Sequence, residues 1–548
     1  MNEKFILKAN GVYAVDTNGN ETRLSSPIRV VRLTRDEEGT GWGKVLNFTD
    51  NDGNEREIAI PNSMFAGDGR EVRERLLDRG VAIASSTKAR NLFNDYLNSA
   101  NPPERALSVR QTGWHNDAFV LPEEVIGDCQ PVYFQTERPI DFYSSKGTLD
   151  EWREKVSKYC IGNNKLIFAV SLAFAAPMMH PLGIENGGFH MFGPSSCGKS
   201  TALRVAASIY GKDYITTWRA TDNGLEGTAA AHNDTLLVMD EMGQVSPYII
   251  GDIVYMLANG EGKTRADRRG NARRTKRWRI AILSSGEINL DEHLMATGRR
   301  AKAGQEVRLI GIPAVSRDAK YGVFENIHDF KNGAEFSKHL CQAVGDAYGT
   351  PFREFVSKMI QDRTNLTSKW SQFLQEKAWF LPSDADGQVR RAMIRFMLVA
   401  FAGELATEYG ITGWNSGDAT EAARICFNEW IENRGGVESR EKKRILDQVK
   451  IFFEKNSENF IDKATSAPYP RSDIAGYKDG AYYLVLPETF SEKVIEGLNR
   501  QTAISILLAE EWICPDNQGR PSRTENIGGH PTKVYKFGPK LWEYDGIK

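Results

Sequence analysis

A short stretch in the first half of the chain has the residue types and spacing of a loop that binds phosphate. It runs Gly193-Pro194-Ser195-Ser196-Cys197-Gly198-Lys199-Ser200, followed by Thr201, and matches the pattern G-x-x-x-x-G-K-[ST] in full. The glycines of this pattern let backbone N–H groups approach phosphate oxygens, and the positive end of the following helix adds to the attraction. We expect Lys199 to neutralise phosphate charge and the Ser200 hydroxyl to ligate Mg²⁺, with Cys197 as a spacer.

A pair of acidic residues follows the next long apolar segment. Thr235–Met239 has the composition of a buried strand, and Asp240 and Glu241 come directly after it. We expect Asp240 to hold Mg²⁺ through water and Glu241 to orient or deprotonate the attacking water. A kinase of small molecules would use its acid on a substrate hydroxyl, so the Asp-Glu pair favours hydrolysis of ATP.

A third apolar segment, Trp278–Leu283, ends in two serines. In ring-shaped ATPases a polar residue at this strand end contacts the γ-phosphate of the nucleotide. Either Ser285 or Ser284 would do so through its hydroxyl group, and we place Ser285 first. The alternative is that the serine only caps a loop.

The positive charge of the chain is concentrated just before this strand. Lys263–Arg279 carries nine basic residues and one acid, so it has a charge of +8 in a chain whose net charge is -2. Gly270-Asn271 in its middle predicts a hairpin with basic residues on both arms. Because arginine pairs well with phosphate, the segment predicts sequence-independent contacts with a nucleic-acid backbone, although such a run is often only a solvated surface. The residues expected to bind DNA are Lys263, Arg265, Arg268, Arg269, Arg273, Arg274 and Lys276.

The elements around these motifs predict an α/β protein. From Thr148, which forms a helix capping box pattern with Glu151, helices alternate with apolar strands as in a parallel sheet. The apolar segment Leu166–Met179 is shorter than a membrane span and predicts a buried helix. We expect a β-rich N-terminal domain (1–145), a P-loop ATPase core (146–325), a helical lid (326–440) and a winged-helix-like C-terminal domain (441–548).

Turn signals support this reading at both ends of the chain. Asn18-Gly19 and Asp52-Gly53 predict tight hairpins, because glycine tolerates the positive φ that such turns require. Near the C-terminus, a helix predicted at Gln501–Trp512 precedes the polar segment Pro515–Gly529 and a strand at Lys533–Phe537. That order is typical of a winged helix.

The composition excludes several classes of protein. The 548 residues are 41% hydrophobic and 26% charged, as in folded globular proteins and unlike disordered or collagen-like chains. Met1 is not followed by the apolar stretch of a secretory signal. The six cysteines form no CxxC or Cys/His cluster, so we expect neither a zinc site nor a disulfide framework, and a cytoplasmic location.

Taken together, these motifs resemble the AAA+ replicative helicases. The chain is similar above all to helicase-like proteins of prophages and mobile cassette elements, a family named domain of unknown function 927 and related to minichromosome-maintenance (MCM) helicases. The strings that carry the resemblance are Gly113-Trp114-His115, Gly193 to Thr201, Asn223-Gly224-Leu225-Glu226, Asp240-Glu241, Gly260-Glu261-Gly262-Lys263, Ser284-Ser285-Gly286-Glu287 and Gly304-Gln305-Glu306-Val307-Arg308-Leu309.

The resemblance implies a hexameric ring that binds ATP between subunits and DNA in its central pore. Arg308 would be the arginine finger that reaches a neighbour's γ-phosphate, and Arg390 would be the lid arginine called sensor 2. Arg299, Arg300 and Arg391 are the alternatives for these two roles. This chain departs from the family pattern at Ser285, where these helicases commonly have asparagine.

We therefore expect an ATP-dependent DNA helicase that uses Mg²⁺ and serves the replication of a phage or mobile element, with a primase as a further partner. Two alternatives stay open. One is an initiator that binds DNA in an ATP-dependent way without unwinding it, and the other is an ATPase that remodels proteins. A P-loop kinase is less favoured, because no phosphoacceptor site is evident.

Overall fold

The computed structural model describes residues 4–127, 131–135, 140–264, 275–298, 303–316, 319–376, 385–437, 439–464 and 474–544. The chain folds into two compact units. The first comprises Met1–Trp379 with Arg391–Asn433, and the second comprises Phe380–Arg390 with Arg434–Lys548.

The N-terminal part of the first unit is built mainly of short strands. Its elements are β1 (Lys4–Lys8), β2 (Gly11–Val15), β3 (Glu21–Ser25), β4 (Ile28–Arg35), β5 (Gly43–Thr49), β6 (Glu55–Pro61), α1 (Arg70–Leu77), α2 (Thr87–Ser99), β7 (Arg105–Val109), β8 (Gly113–His115), β9 (Ala118–Val120), β10 (Val125–Ile126) and β11 (Val132–Phe134). They form sheets ordered β1-β2-β3, β10-β9-β8 and β11-β7-β4-β5-β6. Leu46 and Phe48 of β5 share a buried apolar cluster with Phe93 and Leu97 of α2.

A parallel sheet forms the centre of the first unit. Its elements are α3 (Leu149–Lys155), α4 (Asn164–Met178), β12 (Gly187–Phe192), α5 (Lys199–Ala207), β13 (Thr216–Thr217), α6 (Asp222–Ala231), β14 (Thr235–Asp240), α7 (Ile250–Asn259), β15 (Ile280–Gly286), α8 (Leu290–Met295), α9 (Ala303–Glu306) and β16 (Leu309–Pro313). The strand order is β13-β14-β15-β12-β16, and every neighbouring pair is parallel. Because β15 lies between β12 and β14, the loops after these three strands meet at one edge of the sheet.

Helices follow the parallel sheet. They are α10 (Gly333–Asp346), α11 (Thr350–Gln361), α12 (Arg363–Glu376), α13 (Gly387–Glu408) and α14 (Asp418–Arg434). α13 contributes residues to both units. None of the helices in the described ranges is both long and apolar enough to cross a membrane.

The second unit contains helices and a mixed sheet. Its elements after residue 439 are α15 (Arg440–Lys455), β17 (Phe460–Asp462), β18 (Gly476–Asp479), β19 (Tyr482–Val485), α16 (Pro487–Thr489), α17 (Arg500–Ala509), β20 (Arg523–Ile527) and β21 (His530–Phe537). The strand order is β17-β18-β19-β21-β20. Phe453 of α15, Leu507 of α17 and Phe537 of β21 belong to its buried core.

The mixed α/β fold confirms the class predicted from the sequence, and several local predictions are also confirmed. Asn18-Gly19 connects the antiparallel strands β2 and β3, and Asp52-Gly53 connects β5 and β6. Thr148 and Glu151 form a complete capping box at the start of α3. α4 is buried on all sides, as expected from its apolar sequence.

One strand boundary differs from the prediction. β15 continues through both serines to Gly286, because Ser284, Ser285 and Gly286 pair with the backbone of β12. The polar segment Pro515–Gly529 contains the strand β20, which pairs antiparallel with β21 while much of its surface stays exposed.

Candidate active site

The predicted phosphate-binding loop has the strand, loop and helix order that its sequence requires. β12 ends at Phe192 and α5 begins at Lys199. Between them, Ser196 and Gly198 have positive φ angles of 60° and 101°. A Cβ on Gly198 would lie 2.7 Å from a methyl group of Val323, so both the backbone angle and the available space require glycine. The loop ends at the helix N-terminus, where unbonded N–H groups attract anions.

The ammonium group of Lys199 lies over this loop. Its Nζ donates to the carbonyl oxygens of Gly193 at 2.8 Å and Pro194 at 2.7 Å, and the side chain is almost completely buried. Cys197 places its sulfur 3.8 Å from the same Nζ, and its carbonyl accepts from the N–H of Val323. A positive charge is therefore held where the loop would receive phosphate.

The carboxylate of Asp240 joins the phosphate-binding loop to the neighbouring strand. Ser200 donates through its hydroxyl to Oδ2 of Asp240 at 3.1 Å, and Ser285 donates to Oδ1 of the same carboxylate. These three residues come from α5, β14 and β15, which are separated in sequence by up to 85 positions. Thr201 points elsewhere, with its hydroxyl 2.6 Å from that of Ser337 on α10.

Glu241 has a backbone conformation that few residues adopt. Its φ and ψ are 60° and 74°, in the left-handed region, and its N–H donates to the hydroxyl of Ser285 at 3.3 Å. Such a conformation costs on the order of 1 kcal/mol or more for a side chain other than glycine and is concentrated at functional sites. The turn changes the direction of the chain immediately after β14.

The structure separates the two serines that the sequence left as alternatives. Ser285 contacts Asp240, whereas the hydroxyl of Ser284 lies 2.9 Å from Nε1 of Trp218 and 2.9 Å from Nδ1 of His190. The hydroxyl of Ser284 is therefore occupied by buried hydrogen bonds with Trp218 and His190. Ser285 is the serine placed beside the Asp-Glu pair.

The oxygens of Ser200 and Asp240 fit a magnesium ion. Mg²⁺ prefers oxygen ligands and is usually held by one or two protein groups together with phosphates and water. The described part of the chain contains no group of three or more His, Cys, Asp or Glu side chains arranged to hold a metal alone.

Arg308 lies at the opposite end of the sheet from the phosphate-binding loop. It immediately precedes β16, and its carbonyl accepts from the N–H of Gly188 at the start of β12. The length of β12 then separates the two positions by roughly 20 Å. The guanidinium stacks on the ring of Tyr255 at 4.8 Å and donates to the carbonyl of Gly304 at 3.0 Å.

The other arginines of interest have different surroundings. Arg390 belongs to the second unit, where its Nε donates to the carbonyl of Ala385 at 3.2 Å. Arg391 belongs to the first unit, and its charge, together with that of Arg308, adds to the lowering of the pKa of Arg395 to about 10, which is caused mainly by burial. Arg299 and Arg300 lie outside the described residues.

The base of the basic segment has the geometry of a hairpin. Glu261 and Arg277 form an antiparallel bridge, and the N–H of Gly262 donates to the carbonyl of Lys276 at 2.9 Å. The N–H of Lys263 donates at 3.1 Å to the carboxylate of Glu226 on α6, which is 1% exposed. The residues predicted to bind DNA that lie outside the described ranges are Arg265, Arg268, Arg269, Arg273 and Arg274.

Three residues of this region were given no role by the sequence patterns. Glu226 anchors the base of the basic segment, while His190 and Trp218 lie behind the two serines. A signal for His190 was present, because it interrupts the otherwise apolar strand Phe189–Phe192, and a buried polar side chain requires partners. Nothing in the sequence indicates which partners those are.

One known protein family matches this chain. The profile described as "Domain of unknown function (DUF927)" matches residues 5–278, which is half of the chain. The chain belongs to the DUF927 family. This confirms the family predicted from the motifs. No protein among curated sequences matches this DUF927 chain.

Solved structures match this DUF927 protein over almost its whole length. One is described as "SCCmec type IV Cch - active helicase", with a TM-score of 0.71, 16% sequence identity, and 98% of each chain covered. That similarity shows a shared fold. Another is "The A form apo structure of NrS-1 C terminal region-CTR". It covers 93% of this chain and 96% of that chain at 9% identity, with a TM-score of 0.35.

Proposed function

We propose that this chain is an ATP-dependent DNA helicase of a phage or mobile element. The observation that carries the proposal is the shared carboxylate of Asp240, which binds Ser200 of the phosphate-binding loop and Ser285 of the adjacent strand. Glu241 follows in a left-handed backbone conformation, which is concentrated at functional sites. The fold shared with a protein described as an active helicase supports the same conclusion.

Each group at the site has a chemical role in this proposal. Lys199 neutralises charge on the β- and γ-phosphates, and Glu241 orients or deprotonates the attacking water. Ser200 and Asp240 would hold Mg²⁺, which supplies further charge neutralisation when bound. Ser285, which donates to Asp240 and accepts from the N–H of Glu241, would contact the γ-phosphate.

The parallel sheet, with β15 between the strands that carry the phosphate-binding loop and the Asp-Glu pair, supports an AAA+ core followed by a helical lid. In the second unit, α17 is followed by the antiparallel pair β20 and β21, and β21 also pairs with β19. This arrangement supports a winged-helix-like domain. We propose four domains with the bounds expected from the sequence, at 1–145, 146–325, 326–440 and 441–548.

The position of Arg308 supports a ring assembly. Because it lies at the far end of its own sheet, it would reach only a nucleotide bound by a neighbouring subunit. Arg390 and Arg391 stay alternatives for the sensor 2 role. We propose a homohexamer with ATP between subunits and DNA in the pore, gripped by the basic segment that begins at Lys263.

The test is an ATP hydrolysis and forked-duplex unwinding assay with matched variants. The wild-type protein is expected to hydrolyse ATP faster when single-stranded DNA is added and to unwind the fork only with ATP. Lys199→Ala is expected to lose ATP binding. Glu241→Gln is expected to bind ATP normally while turnover falls by about 10²- to 10⁴-fold.

Two other outcomes would contradict the helicase. Hydrolysis that ignores added DNA would favour an ATPase that remodels proteins. Hydrolysis stimulated by DNA without strand separation would favour an ATP-dependent initiator. Normal turnover by Glu241→Gln would remove the role given to this side chain.

A further inference from the structure

A histidine lies in the middle of the strand that leads into the phosphate-binding loop. His190 is 0% exposed and is paired in register with Ser284 on one side and Gly311 on the other. Its ring packs directly on the backbone of Gly286, where an added Cβ would lie 2.9 Å from Cε1 of the imidazole. A polar ring in this position costs free energy unless both nitrogens are bonded.

Both ring nitrogens of His190 are bonded, and the partners define the tautomer. Nε2 lies 3.0 Å from the carbonyl oxygen of Ile288, which only accepts, so Nε2 carries the proton. Burial lowers the pKa of His190 to about 4, so the ring is neutral and Nδ1 is an acceptor. Ser284 therefore donates to Nδ1 at 2.9 Å and accepts from Nε1 of Trp218 at 2.9 Å.

This chain of hydrogen bonds holds the segment 284–288 against the strand β12. His190 binds the side chain of Ser284 at the beginning of the segment and the carbonyl of Ile288 at its end. Between them, the carbonyl of Gly286 accepts from the N–H of Gly193, the first residue of the phosphate-binding loop, at 3.2 Å. Ser285, which contacts Asp240, lies inside the segment that these bonds hold.

We propose that His190 is a positioning residue for ATP hydrolysis, holding the segment 284–288 so that the Ser285 hydroxyl lies on Asp240 and on the N–H of Glu241. The proposal rests on the hydrolysis proposed above and adds a residue to it. His190 acts only through Ser284 and Ile288. Its ring bonds to Ser284 and Ile288, whereas Lys199 bonds to the loop carbonyls of Gly193 and Pro194.

This role has a specific kinetic consequence. Loss of the imidazole contacts lets Ser285 move away from Asp240, so the rate of turnover falls. Nucleotide binding depends on Lys199 and on the backbone of the loop, so KM for ATP stays within about threefold of the wild-type value. The loss of a supporting residue behind a catalytic group typically costs about 10- to 100-fold in activity, and we expect kcat of His190→Ala to fall by that factor.

Two conservative variants separate the two contacts. The amide of His190→Gln reaches the position of Nε2 and restores the donor to Ile288. The amide oxygen of His190→Asn lies near the position of Nδ1 and restores the acceptor for Ser284. We expect each variant to recover part of the kcat that His190→Ala loses. If His190→Ala does not fold, the kcat values of these two variants are compared with the wild-type value instead.

His232 supplies the matched control. It is also buried, its pKa is likewise lowered to about 4 by burial, and its Nδ1 lies 2.8 Å from the carbonyl of Thr228 on its own helix. It lies beside the amino end of β14, away from Ser285. His232→Gln and His232→Asn therefore show the cost of losing a buried histidine that does not hold the segment 284–288.

The measurements are kcat and KM for ATP and the melting temperature of the full chain and each variant. A loss of kcat at unchanged KM in the His190 variants, absent from the His232 variants, supports the proposal. Wild-type kcat in a folded His190 variant that keeps neither contact overturns it, as does an equal loss of kcat in both series. A wild-type protein that does not hydrolyse ATP would instead overturn the proposed function.

Discussion

Two aspartates at opposite ends of β14 lie in opposite environments. Asp240 accepts hydrogen bonds from Ser200 and Ser285. Asp234, just before the strand, is 4% exposed, and its Oδ1 has no hydrogen-bond partner among the described residues. Burial raises the pKa of Asp234 to about 6, although the N–H of Trp114 bonds to Oδ2 and lowers it. The first carboxylate would bind Mg²⁺ in the proposed function, whereas the second opposes folding when it is ionised.

Asp234→Asn is therefore expected to raise the free energy of unfolding at neutral pH. Because the folded-state pKa lies above the usual value of 3.8, the contribution of Asp234 to the free energy of unfolding is most favourable below that pH and falls as the pH rises to about 6. A shift of about two pKa units corresponds to roughly 3 kcal/mol, and we expect a gain of about 1–3 kcal/mol. Asn also tolerates the positive φ of this position.

Urea unfolding of both proteins at about pH 7.5 and about pH 4.5 measures the effect, since the gain should shrink at the lower pH. Asp213→Asn, which changes an exposed aspartate of the same unit, is the control and should leave stability unchanged at both values. A gain that does not depend on pH would show that ionisation of Asp234 is not its cause.

At the scale of elements, the basic segment is attached to the ATPase sheet at both of its ends. Its first arm leaves α7 and its second arm leads into β15, the strand that carries Ser285. Glu226 binds the backbone of the first arm from α6. A change in the position of β15 or α6 during hydrolysis would therefore move the base of the segment. In the proposed helicase, this attachment would connect ATP hydrolysis to movement of the DNA-binding segment.

Neutralising the segment is expected to weaken DNA binding without affecting ATP binding. The triple variant Arg268→Gln, Arg269→Gln and Arg273→Gln removes three positive charges that are expected to contact phosphates. For single-stranded DNA, each lost contact lowers the slope of log K against log salt concentration by about 0.7, so the slope should fall by about 2. Fluorescence anisotropy at several salt concentrations measures it.

A control variant removes the same charge elsewhere. Arg70, Lys88 and Arg90 are exposed on the helices α1 and α2 of the N-terminal part, and their replacement by glutamine should leave the salt dependence unchanged. Equal effects of the two triple variants would mean that overall charge, rather than the basic segment, controls binding.

At the scale of the whole molecule, the sheet separates the two halves of the proposed catalytic centre. Lys199 and Asp240 lie at the carboxyl end of the strands, while Arg308 precedes the amino end of β16. One chain therefore presents a nucleotide-binding edge and an arginine-bearing edge on different sides. Two copies would complete a site between them.

Mixing two inactive variants tests this arrangement. Arg308→Ala keeps its own phosphate-binding loop, and Lys199→Ala keeps its own Arg308. Each alone is expected to lose most ATP hydrolysis, because removing a finger arginine costs about 10³- to 10⁵-fold. Mixed assemblies contain interfaces with one intact half from each variant, so hydrolysis should reappear and depend on the ratio of the two proteins.

The control mixes Lys199→Ala with Glu241→Gln, which lack groups from the same edge. Every interface in these assemblies has a nucleotide-binding half that lacks either Lys199 or Glu241, so no recovery of hydrolysis is expected. Subunit exchange is verified by native mass spectrometry. Full hydrolysis by Arg308→Ala alone would contradict a role for this arginine.

The sequence by itself determined the local features of this protein. The phosphate-binding loop, the capping box at Thr148 and the hairpin turns depend on residues close together in the chain. The DUF927 family was also recognisable from its motifs. Such features are set by backbone angles and neighbouring side chains, so a short pattern is enough to indicate them.

Only the tertiary structure decided which of these residues meet. It brought Ser285 rather than Ser284 to Asp240, placed Arg308 at the far end of the sheet, and surrounded His190 with partners. The physical reason is that β15 lies between β12 and β14, an order that periodicity does not reveal. Contacts across a parallel sheet depend on strand order and register, and these are set by packing between segments far apart in sequence.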